Sequence, residues 1–158
     1  MFHNVLVAVD GSQHADRALA EAIDLAASER ARLTLMTAVL RPPATAYFVA
    51  AETTATGLLE DAREEAEAIL RRACQRVPAD LPVTTVLTEH PIGVAIIHQI
   101  EDAHHDLVVM GSRGRGAVRS ALLGSVSHYV LHHSPVPVLI VHAEREPQSE
   151  VLEVGAAA

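Results

Sequence analysis

At 158 residues the chain falls in the size range of one domain and is long enough to bury most of the surface its unfolded form would expose. Hydrophobic residues make up 49% of it and aromatics only 3%, so the interior must be built from Ala, Val and Leu. A net charge of −8 argues against a polyanion or an anionic membrane as main partner, the lone Cys74 excludes an intramolecular disulfide framework, and no leader or long apolar run stands out, so a soluble cytoplasmic protein is expected.

In chain order, His3 to Val9 is a Val-rich apolar run that predicts a strand, and Asp10-Gly11-Ser12 supplies a turn and a helix N-cap. From Gln13 to Ser28, Ala15, Leu19, Ala22, Ile23 and Ala26 recur at three and four residues, the period of an amphipathic helix. Leu33 to Leu40 reads as a second strand, stopped by Pro42 and Pro43, which cannot donate to a ladder. Residues 41–56 show no clear period and are expected to form a mobile flap, with the Tyr47 region as its switch. Leu58, Ala62, Ala66, Ile69, Leu70, Ala73 and Val77 mark a long helix. Val83 to Thr88 predicts a third strand, Ile92 to Ile100 a helix opened by Pro91, and Asp106 to Met110 a fourth, fully apolar strand. Beyond a glycine-rich loop, Val118, Leu122, Val126, Tyr129 and Val130 share one helical face, and Pro137 to Val141 closes with a fifth strand.

Strand and helix thus alternate five times, which predicts an α/β fold: an open, doubly wound, five-stranded parallel sheet with helices on both faces. Residues 1–142 are expected to form one nucleotide-binding domain and residues 143–158 a flexible tail. In such sheets ligands bind outside the carboxyl ends of the strands where strand order reverses, and both Asp10-Gly11-Ser12 and the loop from Gly111 lie at such ends.

That loop, Gly111-Ser112-Arg113-Gly114-Arg115-Gly116, leads to Gly124-Ser125 and a helix. Glycines admit positive φ and let amides approach a ligand, and a helix N-terminus adds unpaired donors suited to an anion. Gly111 and Gly114 also fit a plain tight turn, Asp10 fits a turn residue bonding its own backbone, and Arg113, Arg115 and Arg119 fit either a solvated face or phosphate contact.

Val9-Asp10-Gly11-Ser12 after the first strand, Gly111-x2-Gly114-x9-Gly124-Ser125 after the fourth, Leu107-Val108-Val109-Met110 and the closing Pro135-Val136-Pro137-Val138-Leu139-Ile140-Val141 resemble the universal stress protein family over nearly the whole chain. The resemblance implies a strand order of 3-2-1-4-5, a homodimer formed through the last strand and membership of the ATP-binding branch. It implies that Asp10 lies near adenosine and a Mg²⁺ or Mn²⁺ ion, whose hard-oxygen preference suits a carboxylate. The backbone at Ala38 or Val39 would meet adenine. Met110 and Gly111 would flank the nucleotide, Arg113 would offset phosphate charge and the Gly114 amide would reach phosphate. Gly124, Ser125, Val126 and Ser127 would hold the outer phosphates by amide and hydroxyl.

Other chemistries find less support. His128 and His132 share a helical face at i, i+4, but no third ligand or His-Glu-x-x-His arrangement accompanies them, and a surface or dimer-edge role suffices. The chain has no Lys and hence no P-loop, Gly114-x-Gly116 does not continue as a dinucleotide fingerprint, and no Gly-x-Ser-x-Gly elbow activates a serine. The reading is a nucleotide-binding regulator that makes no bonds, with ATP replaceable by AMP or cyclic AMP. Two alternatives are a dimeric interaction module that binds no nucleotide and a slow metal-dependent ATPase.

Overall fold

The computed structural model describes residues 1–41, 52–116 and 123–143. Nine elements follow one another: β1 (Asn4–Ala8), α1 (Gln13–Glu29), β2 (Arg32–Ala38), α2 (Glu52–Gln75), β3 (Val83–Thr88), α3 (Ile92–Asp102), β4 (Leu107–Gly111), α4 (Ser125–His133) and β5 (Val138–Val141). The strands form one sheet in the order β3-β2-β1-β4-β5, and every neighbouring pair is parallel. The expected fold class and strand order are those observed.

Two faces of the sheet follow from the two-residue period of its strands. Val5 and Val7 of β1, Leu33 and Leu35 of β2, and Leu107 and Val109 of β4 point to one side, where α1 and α2 cover them with Leu19, Ile69 and Leu70. Leu6, Met36, Val108 and Met110 point to the other, under Ile96 and Ile100 of α3 and Val130 of α4. With both faces covered, β4 is buried at every position, as its unbroken apolar run requires. Alanines 15, 18, 22 and 26 are the buried small residues of α1, and they let that helix lie close on the sheet.

Local chemistry fixes the ends. Ser12 Oγ accepts the Ala15 amide at 3.2 Å and caps α1, while Arg30 takes the left-handed conformation, φ 57°, to end it. Central β1 lies between β2 and β4, with Val5 opposite both Leu33 and Leu107. The chain leaves β1 towards β2 and β3 on one side and reaches β4 and β5 on the other, so a crevice opens at the carboxyl end of β1.

Three boundaries differ from expectation. Helix α2 begins at Glu52, inside the stretch read as a flap; Ala and Glu there are adequate helix formers, so helix propensity operates where the sequence shows no apolar period. The rest of the flap, with Tyr47, lies outside the described residues. So do Val118, Leu122 and Arg119; α4 itself starts only at Ser125, because Gly124 is extended, φ −74° and ψ 162°. Ala143, expected in the loose tail, is tied down by a hydrogen bond from its amide to His14 Nδ1 at 2.8 Å; the following residues lie outside those described. Among the described residues no helix is long and apolar enough to cross a membrane.

Candidate functional site

A cavity of about 480 Å³ opens at the carboxyl ends of β1, β2 and β4. That volume suits a small organic ligand. Of the residues singled out in the sequence, Asp10, Ala38, Met110, Gly111, Arg113, Gly114, Gly124, Ser125, Val126 and Ser127 line it. Val39 does not: it is buried, and its amide continues the sheet by donating to the Thr88 carbonyl at 2.9 Å. Of the two candidates at the end of β2, Ala38 is the one that lines the cavity, with Thr37 and Leu40 beside it.

Asp10 joins the two loops. Its Oδ1 accepts the Ser12 amide at 2.9 Å, closing the turn after β1, and its Oδ2 accepts the Arg115 amide at 3.0 Å, holding the glycine loop after β4. The turn role open to Asp10 in the sequence is filled by one oxygen of the carboxylate, and the other makes a long-range bond that the sequence did not show. The Arg115 guanidinium pairs with Glu65 of α2, so the same residue spans from the β1 turn to the helix on the far wall. Glu65 also lines the cavity, which sets two carboxylates, Asp10 and Glu65, and two guanidinium groups, Arg113 and Arg115, around its polar side.

The glycines are explained by space. Among the described residues, Gly11 is the one glycine with positive φ, at 77°, so backbone freedom does not account for Gly111, Gly114 or Gly124. A Cβ on Gly111 would lie 2.7 Å from the His14 carbonyl carbon and 2.9 Å from the Ala15 nitrogen, backbone atoms of the first turn of α1. One on Gly114 would meet Asp10 Oδ2 at 2.6 Å. Gly124 is different, since its nearest neighbour would be Arg113 Cα at 3.5 Å, an ordinary contact. What Gly124 withholds is a cap. It is the N-cap of α4 and has no side chain to accept the first amides, whose neighbours Ser125, Val126 and Ser127 all line the cavity. The first intrahelical bond, from the His128 amide to the Gly124 carbonyl at 3.0 Å, leaves those three donors without an intrahelical acceptor. The site thus presents a positive helix end to an open cavity.

Ser127 needs one correction. Its hydroxyl is buried and donates to the Gly111 carbonyl at 2.9 Å, with the Ser112 carbonyl at 3.2 Å, so it braces α4 against the end of β4. It offers a ligand its amide and not its hydroxyl. Gly124 is braced the same way, its amide donating to the Ser112 carbonyl at 2.7 Å.

Residues 1–142 match the model of the Universal stress protein family. The chain belongs to that family. A universal stress protein of Thermus aquaticus is 36% identical over 141 residues, covering 89% of this chain and 99% of its own. Among solved structures, the universal stress protein UspA from Lactobacillus plantarum superposes with a TM-score of 0.75 at 25% identity, over 89% of this chain and 97% of that one. A universal stress protein in complex with cAMP superposes with a TM-score of 0.58 at 27% identity, over 90% of this chain and 98% of that one.

In this member of the family the opposite wall of the cavity is α2, which the sequence marked as a long helix and not as part of the site. Ala62, Ala66 and Ile69 lie on its apolar stripe, yet they line the cavity together with Glu65. The available signal was the small size of Ala62 and Ala66 on a face where larger side chains would fill a core. Leu40 at the rim is 60% exposed, and Ile92 forms part of the floor. Among the described residues, no group of three His, Cys, Asp or Glu side chains is arranged to hold a metal, and His128 and His132 only face one another, ring centroids 4.6 Å apart.

Proposed function

We propose that the chain binds an adenine nucleotide, with its phosphates at the uncapped start of α4 and its base over the apolar floor near Ala38, Met110 and Ile92. The observation that carries this reading is the absence of a capping side chain at Gly124 beside a cavity of about 480 Å³. Three amides and a helix dipole stabilise an anion there, with Arg113 on the same side. The solved relative that holds cAMP, at 27% identity, supports a purine nucleotide over other anions.

ATP, AMP and cyclic AMP share the adenosine and phosphate that these groups recognise. With a triphosphate, Mg²⁺ or Mn²⁺ would arrive with the ligand, taking most of its oxygens from phosphate and water. Asp10 and Glu65, the carboxylates that line the cavity, are engaged with Ser12 and Arg115, which supports a binding role, in a cytoplasmic, homodimeric regulator paired through β5, in which the nucleotide shifts the populations of states that bind it unequally. Mass spectrometry of ligand released from natively purified protein, with calorimetric titration of ATP, AMP and cyclic AMP, tests the reading. It predicts a co-purifying or saturable adenine nucleotide; failure of all three to bind would refute it.

A further inference from the structure

Behind the cavity, and not lining it, His14 on the first turn of α1 makes two contacts through the same nitrogen. Nδ1 accepts the Ala143 amide at 2.8 Å and lies 3.1 Å from Ser112 Oγ. An amide N–H only donates, so Nδ1 carries its lone pair and the ring proton sits on Nε2. Ser112 is fully buried, and its hydroxyl can serve as a second donor to that lone pair. The imidazole therefore ties three separated parts of the chain together: α1, the end of β4, and the segment that follows β5.

We propose that His14 is a proton-operated latch, closed on Ala143 while the imidazole is neutral and released when Nδ1 takes a proton. Protonation turns the acceptor into a donor facing another donor, so the bond to Ala143 is replaced by a repulsive contact. The charged groups that face the ring are Arg113 from the glycine loop, His142 from the end of β5 and Asp10 from the end of β1. Burial pushes the imidazole below its ordinary value of 6.5, Arg113 and His142 push the same way, and Asp10 opposes them. The latch is accordingly shut at neutral pH and opens as pH falls below 6.5, freeing the Ala143 amide just beyond the end of β5. This device does not depend on the nucleotide reading, since neither His14 nor Ala143 lines the cavity.

The test is NMR of the full chain without nucleotide, following the His14 ring nitrogens and the Ala143 amide from pH 8 to pH 5. The expected result is an Nε2–H tautomer at pH 8 and one shared midpoint below 6.5 for both signals. Past that midpoint, Ala143 should lose about five- to tenfold of its hydrogen-exchange protection beyond the intrinsic pH effect. His14→Asn, which keeps an acceptor near the Nδ1 position but cannot titrate, should hold Ala143 protected throughout. His142→Gln should leave the step in place, excluding His142 as its source. An Nδ1–H tautomer at pH 8, an Ala143 signal that ignores the His14 titration, or an undiminished step in His14→Asn would each overturn the latch.

Discussion

Gly111, Gly114 and Gly124 look alike in the sequence but meet different atoms. Alanine at Gly111 must displace backbone of α1, which has no rotamer with which to yield. We expect Gly111→Ala to cost about 2–3 kcal/mol, as overpacking does. Alanine at Gly114 meets a side-chain oxygen that can turn away, at the cost of the Asp10–Arg115 bond, or about 1 kcal/mol. Gly124→Ala should change stability least. Urea unfolding of the three variants checks that order, and an equal effect at all three positions would contradict the steric account.

His105 gives the second residue-scale prediction. It is buried, its Nδ1–H donates to the Asn4 carbonyl at 3.3 Å, and its Nε2 has no partner among the described residues. Burial lowers its pKa from 6.5 more than the Asn4 bond and Asp106 raise it. A lowered value in the fold means that the unfolded chain binds the proton first, so stability is complete above pH 6.5 and declines as pH falls below it. His105→Leu should flatten that decline by one proton's share while sparing stability at pH 7.5, because the Asn4 carbonyl keeps the Asp106 amide. Denaturant titrations at pH 5 and 7.5 measure both; an unchanged pH slope would mean that His105 takes no part in it.

At the scale of elements, the five strands and the bodies of the four helices were legible, because each carries a period of two, a period of three to four, or an unbroken apolar run. The first turn of α2 was not, since Glu52 to Thr56 carry no apolar period in the sequence. Gly124-Ser125 was recognised by spacing, but what the glycine does there, keeping α4 uncapped, emerges only when the extended Gly124 backbone is seen. Ser127 was legible as a site residue and its hydroxyl's role was not, because nothing in the sequence shows that the Gly111 carbonyl is within 2.9 Å. An aspartate at Gly124 would supply the missing cap: φ −74° suits any residue, and its Cβ has room. Gly124→Asp should therefore stabilise the fold by a few tenths of a kcal/mol, up to about 1 kcal/mol. A higher urea midpoint with an unchanged slope would record it.

At the scale of the whole molecule, five parallel strands reverse direction of winding at β1, and three loops with one helix start converge on the opening this leaves. Asp10 clasps the glycine loop, Arg115 extends that clasp to α2, and the Ser112 carbonyl fixes the approach to α4. These bonds hold the α4 amides in position before any ligand arrives, which lowers the ordering cost of binding. The most direct measurement is calorimetry with ATP on the intact wild type and on Gly124→Asp, alongside their urea midpoints. The account predicts saturable binding to the wild type and at least about a hundredfold weaker binding to a variant that is no less stable, because the new carboxylate occupies the amides and repels phosphate. Equal affinity in the two proteins would contradict it.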